Sequence, residues 1–446
     1  MTIGFQPTEF ARAVLEALQP ARLFPARLRF GGADSIVPVH DVRGVTVIGL
    51  GKAAQPQVAA TRALLRESLG EAIELPRSLA ITKRGHGTAS PACALLEASH
   101  PLCDESSLAA GAALRARVAA TPADHLLVLC LSGGGSALAV APRAPFDLHV
   151  KRAVNAALLE GGADIATTNR LRQEMSAIKN GGLLLDVGAR RVLTLVTVDV
   201  PSEDLALVAS GPSTWREREA GAIASDAHRC LPPPLAARFD QALASPSREF
   251  WQARLREAAA RTEHHLHAVG DWETLSSVAR DALRAQGIHH VEVMTRPLDA
   301  SLESGTASIL ERIERLARGP RPAALLSGGE LTVEVSGSGR GGRNSAFVLH
   351  LARALFHERR GALDDATLDR ALVLSLATDG GDGNSDAAGG HVTRAVVGDS
   401  REAREALVSA LARSDTATWL AQRRCAFPST PSGTNLMDLR VVVLWS

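Results

Sequence analysis

Four short stretches combine glycine with residues able to handle phosphate. VIGLGKAA (47–54) sets Lys52 directly after Gly51 in a turn that ends an apolar run. LLVLCLSGGGSAL (126–138) ends another apolar run in Ser132, Gly133, Gly134, Gly135 and Ser136. SGGELTVEVSGSGRGGRNSA (327–346) places Gly328 and Glu330 after a third run, then four further glycines before Arg343 and Asn344. ATDGGDGNSDAAGG (377–390) spaces Asp379, Asp382 and Asp386 after a fourth. Glycine lets the main chain approach phosphate oxygens and offer its N–H groups, helped by a following helix start. Lysine supplies a compact charge and arginine a planar fork for bidentate anion recognition. One or two carboxylates beside phosphates suit Mg²⁺. Asp199 and Asp204 in VDVPSEDLALVASGPS (198–213), and Asn435 in PSGTNLMDL (431–439), extend the set. Asp379 and Asp204 are the candidate metal ligands, and Asp386 is expected to serve only a turn.

Only four of the 49 basic residues are lysine: Lys52, Lys83, Lys151 and Lys179. Where arginine has replaced lysine so widely, the remaining lysines mark places where a guanidinium does not fit. Lys52 in its glycine turn and Lys179, two residues before Gly181-Gly182, are such places. Lys151 is expected on a solvated helix face.

The elements that must hold these residues are legible as alternation. Apolar runs at 45–50, 78–82, 125–131 and 191–198 alternate with helical patterns such as 107–120 and 151–162. That order predicts an α/β architecture with a largely parallel sheet covered on both faces. Ligands then sit at the carboxyl ends of strands, where the glycine turns lie. A proline- and arginine-rich helical stretch (214–263) precedes a second α/β series, which puts the domain boundary at 262/263. At 446 residues, two domains are expected.

A net charge of +1 leaves no polyelectrolyte face, so nucleic-acid binding is not expected. No apolar segment approaches the ~20 residues of a membrane span. Five cysteines without a CxxC pair suit a reduced, cytoplasmic chain without a zinc knuckle. There is no HExxH or GxSxG, which disfavours metalloprotease and α/β-hydrolase readings. Taken alone, G-x-G-x-x-A at 49–54 reads as a dinucleotide fingerprint. However, the next strand ends at Lys83 and Arg84, which fits only an NADP variant.

Nine stretches in order, GLGKAA, EASHPLCDESSLAAG, LSGGGSAL, NRLRQEMSAIKNGG, VTVDVPSEDLALVASGPS, SGGELTV, GRGGRNSA, ATDGGDGNSDAAGG and PSGTNLMDL, resemble the class II glycerate kinases. The C-terminal part of that family is the MOFRL region, here about 320–440, and its members have often been named hydroxypyruvate reductases. The resemblance implies a Rossmann-like N-terminal domain (1–262), a C-terminal α/β domain (263–446) and an active site in the cleft between them. It implies phosphorylation of D-glycerate at its 2-hydroxyl by ATP with Mg²⁺. Lys52 and Arg343 are then the leading catalytic residues, with Asp199, Glu330 and Asp379 as candidates for proton or metal handling. Gly51, Ser132, Gly133, Gly134, Gly135, Ser136, Lys179, Gly328, Glu330, Asn344 and Asn435 would line substrate and nucleotide. The chain departs from the family pattern at Ala346, where glutamate is usual, and at Ser202, where glycine is usual. A kinase of another small hydroxy acid, an NADP-dependent hydroxypyruvate reductase and a regulatory module binding a phosphorylated metabolite are the competing readings. A homodimer is compatible with the sequence but is not indicated by any residue.

Overall fold

β1 (Gly44–Leu50) is buried at all seven positions, as an apolar run flanked by parallel neighbours must be. In the computed structural model, residues 4–31, 34–39, 41–200, 204–359 and 363–445 are described. Among them, β1 is followed by β2 (Ser78–Lys83), β3 (Cys93–Ala98), β4 (His125–Leu131), β5 (Arg191–Thr197) and β6 (Glu263–Gly270). These form one sheet in the order β3-β2-β1-β4-β5-β6. The pairs β1/β2, β1/β4, β2/β3 and β4/β5 are parallel, as the alternation predicts. β3 (CALLEA) is an addition: it is short, carries Glu97 and is buried only at its ends, so it has no apolar signature of its own.

The second sheet contains β7 (His290–Val293), β8 (Leu298–Ser301), β9 (Ala323–Thr332), β10 (Ala371–Leu376), β11 (Ala387–Thr393), β12 (Ala426–Pro428) and β13 (Asp438–Leu444). Its order is β12-β11-β10-β13-β9-β7, with β8 also on β9. β7 and β8 run parallel to β9, but the pairs β9/β13, β13/β10, β10/β11 and β11/β12 are antiparallel. The sheet is therefore mixed: β10 returns into β11 through the aspartate-rich loop, with no crossover helix to make the pair parallel.

Two compact units result. One comprises residues 23–197 and 202–269, the other 1–22, 198–201 and 270–446. The division differs from 262/263 because β6 completes the first sheet and the opening helix Pro7–Ala17 belongs with the second unit. The 214–263 stretch forms three helices, Ala220–Cys230, Pro233–Leu243 and Pro246–Arg261. The triple proline supplies a cap and a first turn, where a missing N–H costs nothing. The first two of these helices and the preceding helices Leu148–Glu160 and Ile165–Glu174 share a core that includes Phe146, Val154, Leu171, Met175 and Phe239. No helix among the described residues is long and apolar enough to cross a membrane.

Candidate active site

The register of β1 on β4, Gly49↔Cys130 and Leu50↔Leu131, brings the two turns that follow these strands side by side. Gly51 has φ +132°, and a Cβ there would lie 2.4 Å from the carbonyl oxygen of Ser132. No side chain fits, so the approach itself demands glycine. The Lys52 N–H donates to the Gly133 carbonyl at 2.9 Å, and the Ala53 N–H donates to Ser132 Oγ at 3.1 Å. Gly134, at φ +85°, borders both the His100 ring and the Lys52 stem. Gly135 then opens the short helix Gly135–Leu138, which carries Ser136. The three glycines thus lock the second turn onto the first and leave the Lys52 side chain beside it.

Two more motifs converge on Ser136. Lys179 Nζ donates to the Ser136 carbonyl at 2.9 Å and also to its Oγ. Ser136 Oγ meets Ser210 Oγ at 3.0 Å, and Ser210 Oγ donates to Asn169 Oδ1 at 3.0 Å. Gln173 Nε2 donates to the Ser210 carbonyl at 3.2 Å. Lys179 is buried, and that burial, then Lys151 and Arg172 as like charges, drives its pKa well down. Lys151 is buried too, not solvated as expected, and burial lowers it to about 8. The helix Leu148–Glu160 buries Lys151 along with its apolar face, a consequence of the helical cluster that covers it.

Asp204 has been drawn into structure. It caps the turn Leu205–Ser210 through the Ala206 N–H (3.1 Å) and pairs with Arg216 (Nη2 to Oδ1, 2.7 Å). Both oxygens are engaged, which makes it a poor metal ligand. Ser202 lies outside the described residues.

The other set of residues lies wholly in the second unit. β13 pairs with β9 in the register Asp438↔Gly329 and Leu439↔Gly328, so Asp438 arrives beside Glu330. Arg343, at the start of the helix Arg343–Ala352, donates Nε to Asp438 Oδ2 at 2.5 Å and Nη1 to Glu330 Oε1. Burial opposes its charge, but the two carboxylates outweigh burial and raise its pKa. The fork expected to be open to a ligand is thus held between carboxylates, with Glu330 41% exposed and Asp438 only 3%. Beneath them Arg440 is fully buried, 3.6 Å from Asp438 and donating to the Gly329 carbonyl at 3.3 Å. Burial lowers its pKa to about 10.

Asn344 has a structural partner as well. Its N–H donates to Asp382 at 2.9 Å and the Ser345 N–H does so at 2.8 Å, while Ser375 Oγ donates to Asn344 Oδ1 at 2.6 Å. Asp382 therefore caps this helix from the aspartate-rich loop, and burial raises its pKa. Ala346 is buried on the same helix. Asp379 is half-buried and accepts from the Gly381 N–H at 3.1 Å. Asn435 Nδ2 reaches Asp199 Oδ2 at 3.4 Å, joining two motifs 236 residues apart in sequence. Asp386 is exposed and pairs with Arg340.

Among the described residues no three of His, Cys, Asp and Glu gather into a metal-binding group. Asp199, beside Asn435, and the half-buried Asp379 carry the carboxylate chemistry that Mg²⁺ takes, an ion that needs only one or two protein oxygens and completes its shell with phosphate and water. Sequence reasoning passed over Arg440 and Asn169; it met Asp382, Ser210 and Asp438 within their motifs but did not count them among the site residues. Asp438 follows Asn435 in a quoted motif, and that adjacency was the available signal.

Residues 7–231 match a domain of unknown function, DUF4147, and residues 323–438 match the MOFRL family. A protein of Agrobacterium vitis named as a hydroxypyruvate reductase is 32% identical over 97% of this chain and 94% of its own length. The D-glycerate 2-kinase of Thermotoga maritima is 28% identical over 98% of both chains. The crystal structure of a Thermotoga maritima glycerate kinase superposes with a TM-score of 0.72 at 25% identity, covering 98% of each chain. Fold, motif order and relatives together define a two-unit α/β kinase. The chain belongs to the class II glycerate kinase family, in which the MOFRL region forms the C-terminal part.

Proposed function

We propose that the protein phosphorylates D-glycerate at its 2-hydroxyl, using ATP and Mg²⁺ and giving 2-phosphoglycerate. The observation that carries this reading is the locked pair of turns: Lys52 stands on a glycine turn fixed to the Ser132–Ser136 turn at the carboxyl ends of adjacent parallel strands. Such a place offers main-chain N–H groups and one compact cation to phosphate oxygens. Phosphoryl transfer needs mainly positioning and charge stabilisation. ATP with Mg²⁺ supplies the phosphoryl group and neutralises charge on it. Lys52 offsets charge developing as the bond to the leaving oxygen breaks. Lys179 keeps Ser136 in place. Asp199 and Asp379 are the carboxylates for the substrate proton and the ion. Arg343, Glu330 and Asp438 form a rigid charged group that helps set the substrate's orientation. The reading places the enzyme in the cytoplasm, which its five unpaired cysteines suit.

The name borne by the Agrobacterium vitis relative keeps a second reading open, NADPH-dependent reduction of hydroxypyruvate. One purified sample tests both. ADP release is followed with D-glycerate and ATP, and NADPH oxidation with hydroxypyruvate. Phosphorus NMR of the product distinguishes 2- from 3-phosphoglycerate. ADP release without NADPH oxidation, with the 2-phosphate as product, is expected. NADPH oxidation alone would overturn the kinase reading.

A further inference from the structure

β13 carries Asp438, Arg440, Val442 and Leu444 on one face, because side chains alternate along a strand. Val442 and Leu444 join the same core as Phe347 of the helix Arg343–Ala352. Two residues along a strand span about 6.6 Å and four along a helix about 6 Å, so the two elements match step for step. Arg343 meets Asp438, and the next helical position on that face, Phe347, lies against Arg440, with 5.4 Å from the guanidinium carbon to the ring centroid. Arg440 pairs with Ser327 on β9 and Ser375 on β10, which puts it in the middle of the sheet at 1% exposure.

Arginine is an unfavourable choice for that place. Its Nε and Nη1 have no hydrogen-bond partner among the described residues, and a charge buried with bonds unmade costs stability. An apolar side chain of similar length would pack there at lower cost. What Arg440 does touch is the mounting of Arg343. Its Nη2 lies 3.6 Å from Asp438 Oδ2, the oxygen that accepts from Arg343 Nε. The same Nη2 donates to the Gly329 carbonyl at 3.3 Å, directly before Glu330, which accepts from Arg343 Nη1. The charges close as well. Arg343 and Arg440 balance Glu330 and Asp438, whereas Arg343 alone would leave one negative charge in excess.

We propose that Arg440 is a positioning residue for Arg343: it fixes Asp438 and the Gly329–Glu330 corner that hold the fork, and its charge keeps the group from repelling an anionic substrate. Arg440 acts through those two carboxylates and is itself closed off from solvent. The first part concerns this chain alone. The second rests on the kinase reading, in which Arg343 helps to orient the glycerate anion.

Hydrogen exchange at arginine Nε, followed by NMR, reads the first part without any turnover. In the full chain with isotope-labelled arginine, the Arg343 signal is assigned by its loss in Arg343→Lys. Arg440→Met should speed that exchange about tenfold or more, because Asp438 loses the cation behind it, while Arg440→Lys should stay within about threefold of wild type. Kinetics read the second part. In Arg440→Met, kcat/KM for D-glycerate should fall about tenfold or more, through KM more than kcat and with KM for ATP steady, and Arg440→Lys should restore it. If Arg440→Met does not fold, Arg440→Gln, which can still donate to the Gly329 carbonyl, takes its place. Unchanged exchange in a neutral variant that folds, or a loss of kcat/KM that lysine does not restore, would overturn the proposal. So would failure of both neutral variants to fold, which would make Arg440 a part of the fold alone. Faster exchange with unchanged kinetics would remove the second part only. No ADP release by the wild type would remove the kinase reading and leave the exchange result to decide the first part.

Discussion

Lys179 Nζ lies 2.9 Å from the carbonyl oxygen of Ser136, 43 residues away in sequence, and it also holds the serine hydroxyl. A buried lysine therefore fixes the far end of the glycine turn. Lys179→Arg should fold less stably, because a planar fork replaces a point donor in a space with 2% exposure. It should lose activity through kcat more than KM, since the turn rather than the substrate is displaced. Steady-state kinetics and a melt on the same preparation check this. Unchanged kcat would reduce the contact to a packing detail.

Lys52→Arg should fold normally, because it keeps the main-chain contacts of residue 52, its N–H on Gly133 and its carbonyl accepting from Thr82. Its stem passes Gly134 closely, with 3.3 Å from Lys52 Cγ to the site of a Cβ there, so a bulkier head has little latitude. The expected loss is about 10²-fold in kcat, from charge stabilisation made in the transition state. Full activity in that variant would show that residue 52 is merely a charge near a turn.

Lys151 gives a pH-dependent prediction. Burial lowers its pKa from 10.5 to about 8, so the unfolded chain binds the proton more tightly than the folded one. The cost of holding the charge in the fold is full below pH 8 and fades as pH rises to 10.5, reaching about 3 kcal/mol at the acid end. Lys151→Met removes the titration. Its stability advantage over wild type should therefore be largest near pH 7 and shrink toward pH 10.5. Urea midpoints of both proteins across that range check the slope, and a constant difference would contradict a depressed pKa.

Arg343→Lys keeps the charge but loses the planar fork, whose Nε bonds Asp438 while Nη1 bonds Glu330. A fall on the order of 10²-fold in kcat/KM is expected. Some stability should go as well, about 1–3 kcal/mol, because Asp438 loses its closest partner while remaining buried. Chemical denaturation separates the two effects from the kinetics.

The three aspartates of the 377–390 loop should respond differently to Asn. Asp382→Asn should cost about 1–3 kcal/mol by weakening the cap on the Asn344 and Ser345 amides. Asp379→Asn should shift the Mg²⁺ concentration needed for half-maximal turnover and leave stability nearly unchanged. Asp386→Asn, which breaks only a surface pair with Arg340, should do neither. A metal effect at Asp386 in place of Asp379 would show that the ion sits elsewhere.

What the sequence revealed and concealed follows from the range of the interactions. β1, β4 and β5 were legible because each is a short run dominated by leucine and β-branched residues, and the turns after them because glycine and serine clusters have few other uses. The contact of Gly51 with Ser132 was not legible, since it depends on β1 pairing with β4 and on their register. The partner of Arg343 lay 95 residues away, on a strand that reaches it only by entering the middle of the second sheet. Lys151 misled because its neighbours in sequence suggest an open helix face, whereas a helical layer from 214–263 closes the cluster around that helix.

The place of β13 bears on how the molecule is made. It lies between β9 and β10, with antiparallel partners on both sides, and it brings both Asp438 and Arg440. A nascent chain that has emerged only as far as β12 carries Arg343 without its buried carboxylate. It also presents two unfilled apolar strand edges, which invite pairing with other chains. Synthesis of those seven residues thus closes the sheet and completes the arginine's ion pairs in one event. Chains stalled or clipped before them should aggregate rather than accumulate as inactive enzyme, so loss of the last strand would appear in the cell as missing protein.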